Sequence, residues 1–187
     1  MPLDIIRPMK IENGLENFIF QVYKLKTVNR QGWVKRGITN AESVADHSFG
    51  VSVLALLLAE KSGVDQNKII KLGLVHDLAE SVVGDIIPSD GVTCEEKHEL
   101  ENEAMKTMCA DGGNTAEILA LWHEYESGET NEAIFVKRLD KLEMMFQAFI
   151  YNKEQPTVDL EEFWDGMKDY DFGNLQIIYN ALTQSRS

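Results

Sequence analysis

Apolar residues recur at intervals of three and four along most of the chain, and no run alternates apolar with polar residues long enough to make a strand. The spacing predicts a first helix from about Leu15 to Val28, with Phe18, Val22 and Leu25 on one stripe, broken by Arg30-Gln31-Gly32-Trp33. A second spans about Glu42 to Lys61 and stops at Gly63. A third opens at Asp65, a good N-cap, carries Ile69, Ile70, Leu74, Val75 and Leu78, and ends near Gly84. A fourth opens at Thr93, where Thr93-Cys94-Glu95-Glu96 fits a capping box, and ends at Gly112-Gly113. A fifth covers about Thr115 to Ser127 and a sixth about Asn131 to Lys153, with shorter helices near Asp159–Met167 and Leu175–Gln184. The expected architecture is all-α, an irregular or orthogonal helical bundle.

The length of 187 residues suits one domain with a real core, and no repeat or Pro/Gly-rich linker divides it. The expectation is a single domain over 1–187, with its core at about 15–155 and C-terminal helices over 156–187. Eighteen basic against thirty-one acidic residues leave a net charge of −13. That balance argues against a partner made of nucleic-acid polymer and against a membrane-surface role, both of which need a basic face. A small anionic ligand stays open, because one arginine and a metal ion outweigh the global field locally. Cys94 and Cys109 are too few for a disulfide framework and read as reduced thiols. Residues 1–10 do not form a signal peptide, and the apolar run Val51–Ala59 is too short to cross a bilayer. These features give the expectation of a soluble cytoplasmic protein.

Several ionisable residues interrupt the apolar stripes. In Leu74-Val75-His76-Asp77-Leu78-Ala79-Glu80, the spacing lets His76, Asp77 and Glu80 share one flank of the third helix. His47 lies between Ala45 and Phe49, and Asp140 falls among Phe135, Val136, Leu139, Leu142 and Met144. Burying such groups is costly unless something satisfies them. Taken singly, each has a structural reading: His47 as a core or surface histidine, Asp140 as a partner of Lys137 or Lys141, Glu80 as a partner of Lys71 or another cation. Taken together, two imidazoles and two carboxylates on three helices make a mixed N/O shell for a divalent cation such as Mn, Co, Fe, Ni or Zn. Such a shell leaves positions for water and substrate, which is what metal-assisted hydrolysis needs.

The order His47 … His76-Asp77 … Asp140 resembles the metal-dependent phosphohydrolase superfamily named for its His-Asp doublet. The surrounding stretches Arg30-Gln31-Gly32-Trp33, Glu42-Ser43-Val44-Ala45-Asp46-His47-Ser48, His76-Asp77-Leu78-Ala79-Glu80, Gly84-Asp85-Ile86-Ile87-Pro88 and Val136-Lys137-Arg138-Leu139-Asp140-Lys141-Leu142-Glu143-Met144 resemble its 5′-deoxynucleotidase branch. The resemblance runs from about residue 15 to about 155. It implies an all-helical homodimer that removes phosphate from deoxyribonucleoside 5′-monophosphates using Co(II), Mn(II) or a similar ion, with Mg, Ni, Zn or Fe as other candidates.

By position, the resemblance implies that His47, His76, Asp77 and Asp140 hold the metal, and that Glu80 acts in proton transfer. Asp85 would lie at the substrate, and Glu80, Asp85 and the Ile86 carbonyl would hold a second ion where one binds. Arg30 would orient the phosphate and Trp33 would contact base or sugar. His47, Asp77, Ile86, Ile87 and Pro88 complete the implied substrate contacts. Trp33 stands two residues further from Arg30 than in the bacterial enzyme, where the pair is adjacent. His98, among acidic neighbours, and His123 are read as solvent-facing.

The implied chemistry is in-line attack of an activated water on phosphorus, with Arg30 on the non-bridging oxygens and Glu80 donating to the departing 5′ oxygen. The same ligand set serves hydrolases of nucleoside triphosphates and of cyclic or oligonucleotide phosphodiesters. The absence of a Lys/Arg cluster near the doublet in sequence favours a monophosphate. A non-catalytic, metal-stabilised helical interaction domain is the reading from another class. It would not require Glu80, Asp85 and Arg30.

Overall fold

The computed structural model describes residues 15–110 and 114–186. The end of the fourth predicted helix at Gly112-Gly113 and the N-terminal decapeptide lie outside these residues. Ten α-helices follow in order: α1 (Leu15–Lys24), α2 (Gln31–Lys35), α3 (Val44–Leu58), α4 (Gln66–Val75), α5 (Glu80–Val83), α6 (Cys94–Met108), α7 (Asn114–Ser127), α8 (Asn131–Glu154), α9 (Glu161–Met167) and α10 (Gln176–Arg186). The fold is all-α; among the described residues the only β pairing is an isolated bridge between Asn29 and Ser43. Among the described residues no helix is long and apolar enough to cross a membrane.

Side chains of the right type open these helices. Asp65 accepts from the Lys68 amide at the start of α4, and Thr130 accepts from Ala133 at the start of α8. Thr93 and Glu96 close the expected capping box on α6, and Ser43 with Asp46 closes another on α3. The latter moves the start of α3 slightly beyond the predicted Glu42.

Helices α3, α4 and α8 pack against one another as the centre of the bundle, with α7 on α4 and α8. One apolar cluster joins Val51, Ala55, Ile69, Leu72, Leu139 and Leu142 to the C-terminal Trp164, Phe172 and Tyr179. A second joins Phe18, Leu25, Val44 and Val75 to Met105 and Trp122. The Asn29–Ser43 bridge is reinforced by bonds from Val44 N–H to the Val28 carbonyl and from Arg30 N–H to the Glu42 carbonyl. It pins the segment carrying Arg30 to the N-terminus of α3, close to His47.

Three expectations need correction. The third predicted helix is not continuous: α4 ends at Val75 and α5 begins at Glu80. Between them the backbone tightens into turns, with Leu78, Glu80 and Ser81 N–H groups bonding to Val75, Asp77 and Leu78 carbonyls. His76, Asp77 and Glu80 therefore project from a helix end, a turn and a new helix, not from one flank. Second, Arg30–Trp33 does not simply break the chain: Gln31–Lys35 forms one helical turn anchored by the buried Trp33 ring. Third, Val22 and Leu74 are at the surface, so the first and third stripes are narrower than their spacing implied.

Candidate metal centre and active site

The three central helices bring the predicted ligands to one place. His47 comes from the first turns of α3, His76 and Asp77 from the end of α4, and Asp140 from the middle of α8. His47 Nε2 lies 3.1 Å from Asp140 Oδ1 and 3.8 Å from Asp77 Oδ2, and His76 Nε2 lies 3.2 Å from the same Asp77 oxygen. One donor atom each from His47, His76 and Asp77 fall within 4.8 Å of one another.

Hydrogen bonds on the far side of each imidazole set its orientation. His76 Nδ1 donates to the Gly73 carbonyl at 2.8 Å, which leaves Nε2 with its lone pair. That Nε2 and Asp77 Oδ2 are both buried and have no hydrogen-bond partner. Two buried polar atoms without partners, beside the His47 Nε2 and the Asp140 carboxylate, are what a divalent ion would satisfy. The donor set is two imidazole nitrogens and two carboxylate oxygens, so the residues fit the implied metal.

The electrostatics are uneven. Burial works against the Asp77 charge, but His76, His47 and Arg30 outweigh it and hold the carboxyl well below its usual range. Asp140 is likewise held low, its burial offset by Lys141 and His47; Lys141 Nζ lies 3.0 Å from Asp140 Oδ2 and Tyr125 Oη donates to that oxygen at 3.3 Å. Of the two partners the sequence offered Asp140, Lys141 is the one; Lys137 lies over the Tyr125 ring. Glu80 is only 3% exposed. Burial, then repulsion from Asp77 and Asp85, raise its carboxyl well above the ordinary value, while Lys97 pulls the other way. The cation beside Glu80 is Lys97 and not Lys71, which pairs with Glu117.

Above the metal ligands opens a cavity of about 540 Å³. Arg30, Trp33, Asp85, Ile86, Ile87 and Pro88 line it as expected, whereas His47 and Asp77 lie beneath it, Asp77 reaching Arg30 Nη1 at 3.5 Å. Gly84, at φ 82°, makes the turn that directs Asp85 into the wall, a conformation an L side chain rarely adopts. Asp85 Oδ2 there accepts the Gln31 N–H at 2.5 Å.

Trp33 lines the cavity while exposing little of its surface. It is 1% exposed, donates Nε1–H to Glu42 at 2.8 Å, and packs on Phe163 with ring centroids 4.3 Å apart. Burial and the neighbouring Glu143 charge push the Glu42 carboxyl up to about 7. Phe163, Met144 and Met167 line the same cavity.

Sequence reasoning missed Phe163, Met167 and Lys97 because nothing local marks them; they arrive from α9 and α6, whereas Lys141 comes with Asp140 on α8. It also read the neighbourhood as poor in cations. The fold assembles five around the cavity, Arg30, Lys35, Arg36, Lys97 and Lys141. Each stands against a carboxylate: Asp77, Asp90, Glu162, Glu80 and Asp140 respectively. His98 pairs with Glu126 and, like His123, is exposed and away from the centre. A second cavity of about 590 Å³, lined by Trp164, Tyr179 and Arg186, carries none of the site residues.

The HD domain family model matches residues 22–175. The chain is 46% identical over 157 residues to 5′-deoxynucleotidase HDDC2 of Danio rerio, covering 82% of this chain and 78% of the relative. It is 40% identical over 176 residues to 5′-deoxynucleotidase YGK1 of Saccharomyces cerevisiae, covering 90% and 81%. The crystal structure of the PH0347 protein from Pyrococcus horikoshii OT3 superposes with a TM-score of 0.76 at 34% identity, covering 90% and 98%. The chain belongs to the HD domain family, in the branch that holds the 5′-deoxynucleotidases.

Proposed function

We propose that the protein is a metal-dependent 5′-deoxynucleotidase, releasing phosphate from (deoxy)ribonucleoside 5′-monophosphates. The observation that carries this reading is the pair of partnerless buried atoms, His76 Nε2 and Asp77 Oδ2, under a cavity floored by Arg30. A divalent ion held by His47, His76, Asp77 and Asp140 supplies a Lewis acid for a phosphate oxygen and lowers the pKa of water.

The remaining work falls to the chain's own residues. Burial opposes the Arg30 charge, but Asp77, Asp140, Asp85 and Glu80 outweigh it and keep the guanidinium protonated, ready to fork across the non-bridging oxygens. Burial raises the Glu80 carboxyl well above its ordinary value, which favours the protonated form needed to give a proton to the departing 5′ oxygen. Asp85, fixed by the Gln31 amide, faces the sugar end of the cavity. Phe163, Met144 and Met167 give the base an apolar wall, and the enclosure limits water around the reacting phosphate.

Glu80, Asp85 and the Ile86 carbonyl are the implied second-ion ligands. Lys97 Nζ already lies 3.1 Å from the Ile86 oxygen and 3.7 Å from Glu80 Oε1. We infer that its ammonium supplies the positive charge there and that one ion per chain suffices. The extra cations would also suit a longer phosphate chain, but their carboxylate partners weigh against it. Cobalt or manganese suits the N/O donor set. A homodimer is supported by the apolar face of Phe49, Val53 and Leu56 left exposed on α3, and a cytoplasmic location by two free cysteines.

The test is phosphate release from deoxy- and ribonucleoside mono-, di-, tri- and cyclic phosphates with Co(II), Mn(II), Mg(II) or EDTA. Metal-dependent release that favours the deoxymonophosphates is the expected result. Metal binding with no release from any nucleotide sinks the enzymatic reading.

A further inference from the structure

The carboxylate of Glu143 lies against the side of His47 that faces away from the metal ligands. Glu143 Oε2 is 2.5 Å from His47 Nδ1, while His47 Nε2 faces Asp140 at 3.1 Å. Glu143 and Asp140 are three apart on α8, so one helix face supplies a carboxylate to each side of the ring. His47 is fully buried, and Glu143 is nearly so.

Space for Glu143 is made by α3. A Cβ built on Gly50 would sit 2.6 Å from Glu143 Oε1 and 3.0 Å from its Cγ. Gly50 lies in the interior of α3, one turn beyond His47, where glycine is disfavoured on helix propensity alone. The carboxylate accounts for it. Behind Glu143 stands Glu42, one oxygen of each falling with a His47 nitrogen within 4.8 Å, and Glu42 also accepts the Trp33 indole N–H.

We propose that Glu143 is a positioning residue of the metal centre: it accepts the Nδ1–H of His47, fixes the tautomer that presents Nε2, and occupies a slot that Gly50 keeps open. A carboxylate behind a ligating imidazole both orients the ring and increases its basicity. Two elements therefore carry the centre as matched pairs, His47 with Gly50 on α3 and Asp140 with Glu143 on α8. This rests on the metal-centre reading above.

The experiment is Co(II) titration of the purified full chain, followed by visible absorption, with circular dichroism of each metal-free variant. Glu143→Ala is expected to weaken Co(II) binding about 10- to 100-fold while retaining the helical spectrum. Glu143→Gln, whose amide oxygen still accepts Nδ1–H, is expected to stay within a few-fold of the parent. Gly50→Ala, which displaces the carboxylate without removing it, should weaken binding while keeping α3. Parental affinity in Glu143→Ala overturns the proposal. So does a loss in Glu143→Gln as large as in Glu143→Ala, which would make Glu143 itself a ligand in the Glu42–His47–Glu143 group. Should Glu143→Ala fail to fold, Gly50→Ala decides, and parental affinity there overturns the proposal. A parent chain that takes up no Co(II) removes the metal centre as a whole, a result distinct from parental affinity in the variants.

Discussion

The ammonium of Lys97 stands 3.7 Å from the buried carboxyl of Glu80 and donates to the Ile86 carbonyl at 3.1 Å. A fixed cation thus lies where a mobile one would otherwise be needed. Lys97→Met should leave the centre at His47, His76, Asp77 and Asp140 intact and open a second site at Glu80 and Asp85. Metal analysis after dialysis against Mn(II) is expected to give about one ion per chain for the parent and more for the variant. Two ions in the parent would show that the lysine does not hold the position.

Metal removal should be visible in stability. His76 Nε2 and Asp77 Oδ2, buried without a hydrogen bond, are left incompletely satisfied in the metal-free chain. Binding to the folded state alone stabilises it by about 2.7 kcal/mol at one hundred times Kd. Thermal unfolding should therefore shift upward with Co(II) or Mn(II) and return with EDTA. In His76→Ala and Asp77→Ala the shift should vanish together with activity.

The centre was legible in sequence because its residue types conflict with their surroundings. His47, His76, Asp77 and Asp140 each interrupt an apolar stripe, and the structure brings all four together. What surrounds them was not legible. Phe163 meets Trp33 across 130 positions, and Lys97 meets Glu80 from another helix, contacts that no local periodicity encodes. The break at residues 76–79 was hidden for a related reason: the apolar spacing continues through it, and only the backbone bonding changes. Glu143 did leave a signal, an acid one turn beyond Asp140 in an apolar helix.

Phe163 supplies a test of the base wall. Phe163→Ala should raise KM for deoxynucleoside monophosphates about tenfold, with kcat little changed, because the ring lines the cavity wall and makes no contact with the His47, His76, Asp77 and Asp140 cluster in the contacts described above. Deoxyribose 5-phosphate, which has no base, should be hydrolysed equally by parent and variant. An equal loss on both substrates would place the ring's role in packing against Trp33 instead.

A pH effect follows from Glu101, which lies 3.5 Å from Lys97. Burial pushes its carboxyl from 4.5 up to about 7, against the attraction of Lys97. A carboxyl raised on folding holds its proton more tightly when folded. Its stabilising contribution is therefore complete below about 4.5 and is lost as pH rises through about 7. Glu101→Gln should match the parent in urea unfolding at pH 4 and exceed it by roughly 1–3 kcal/mol at pH 8, both without metal. A constant difference across that range would contradict the assignment.

The five cations of the cavity, each already matched to a carboxylate, make it an ion exchanger more than an electrostatic trap. An arriving phosphate does not find bare positive charge; it takes over the partner of a carboxylate, and the displaced anion must be solvated or neutralised. With its cations paired on a chain of net charge −13, the mouth offers no steering attraction, so capture should not weaken with rising ionic strength as steered binding to an open basic patch does. Selectivity then resides in which anion replaces those carboxylates with the better geometry. That favours a compact, doubly charged phosphate over the extended backbone of a polymer.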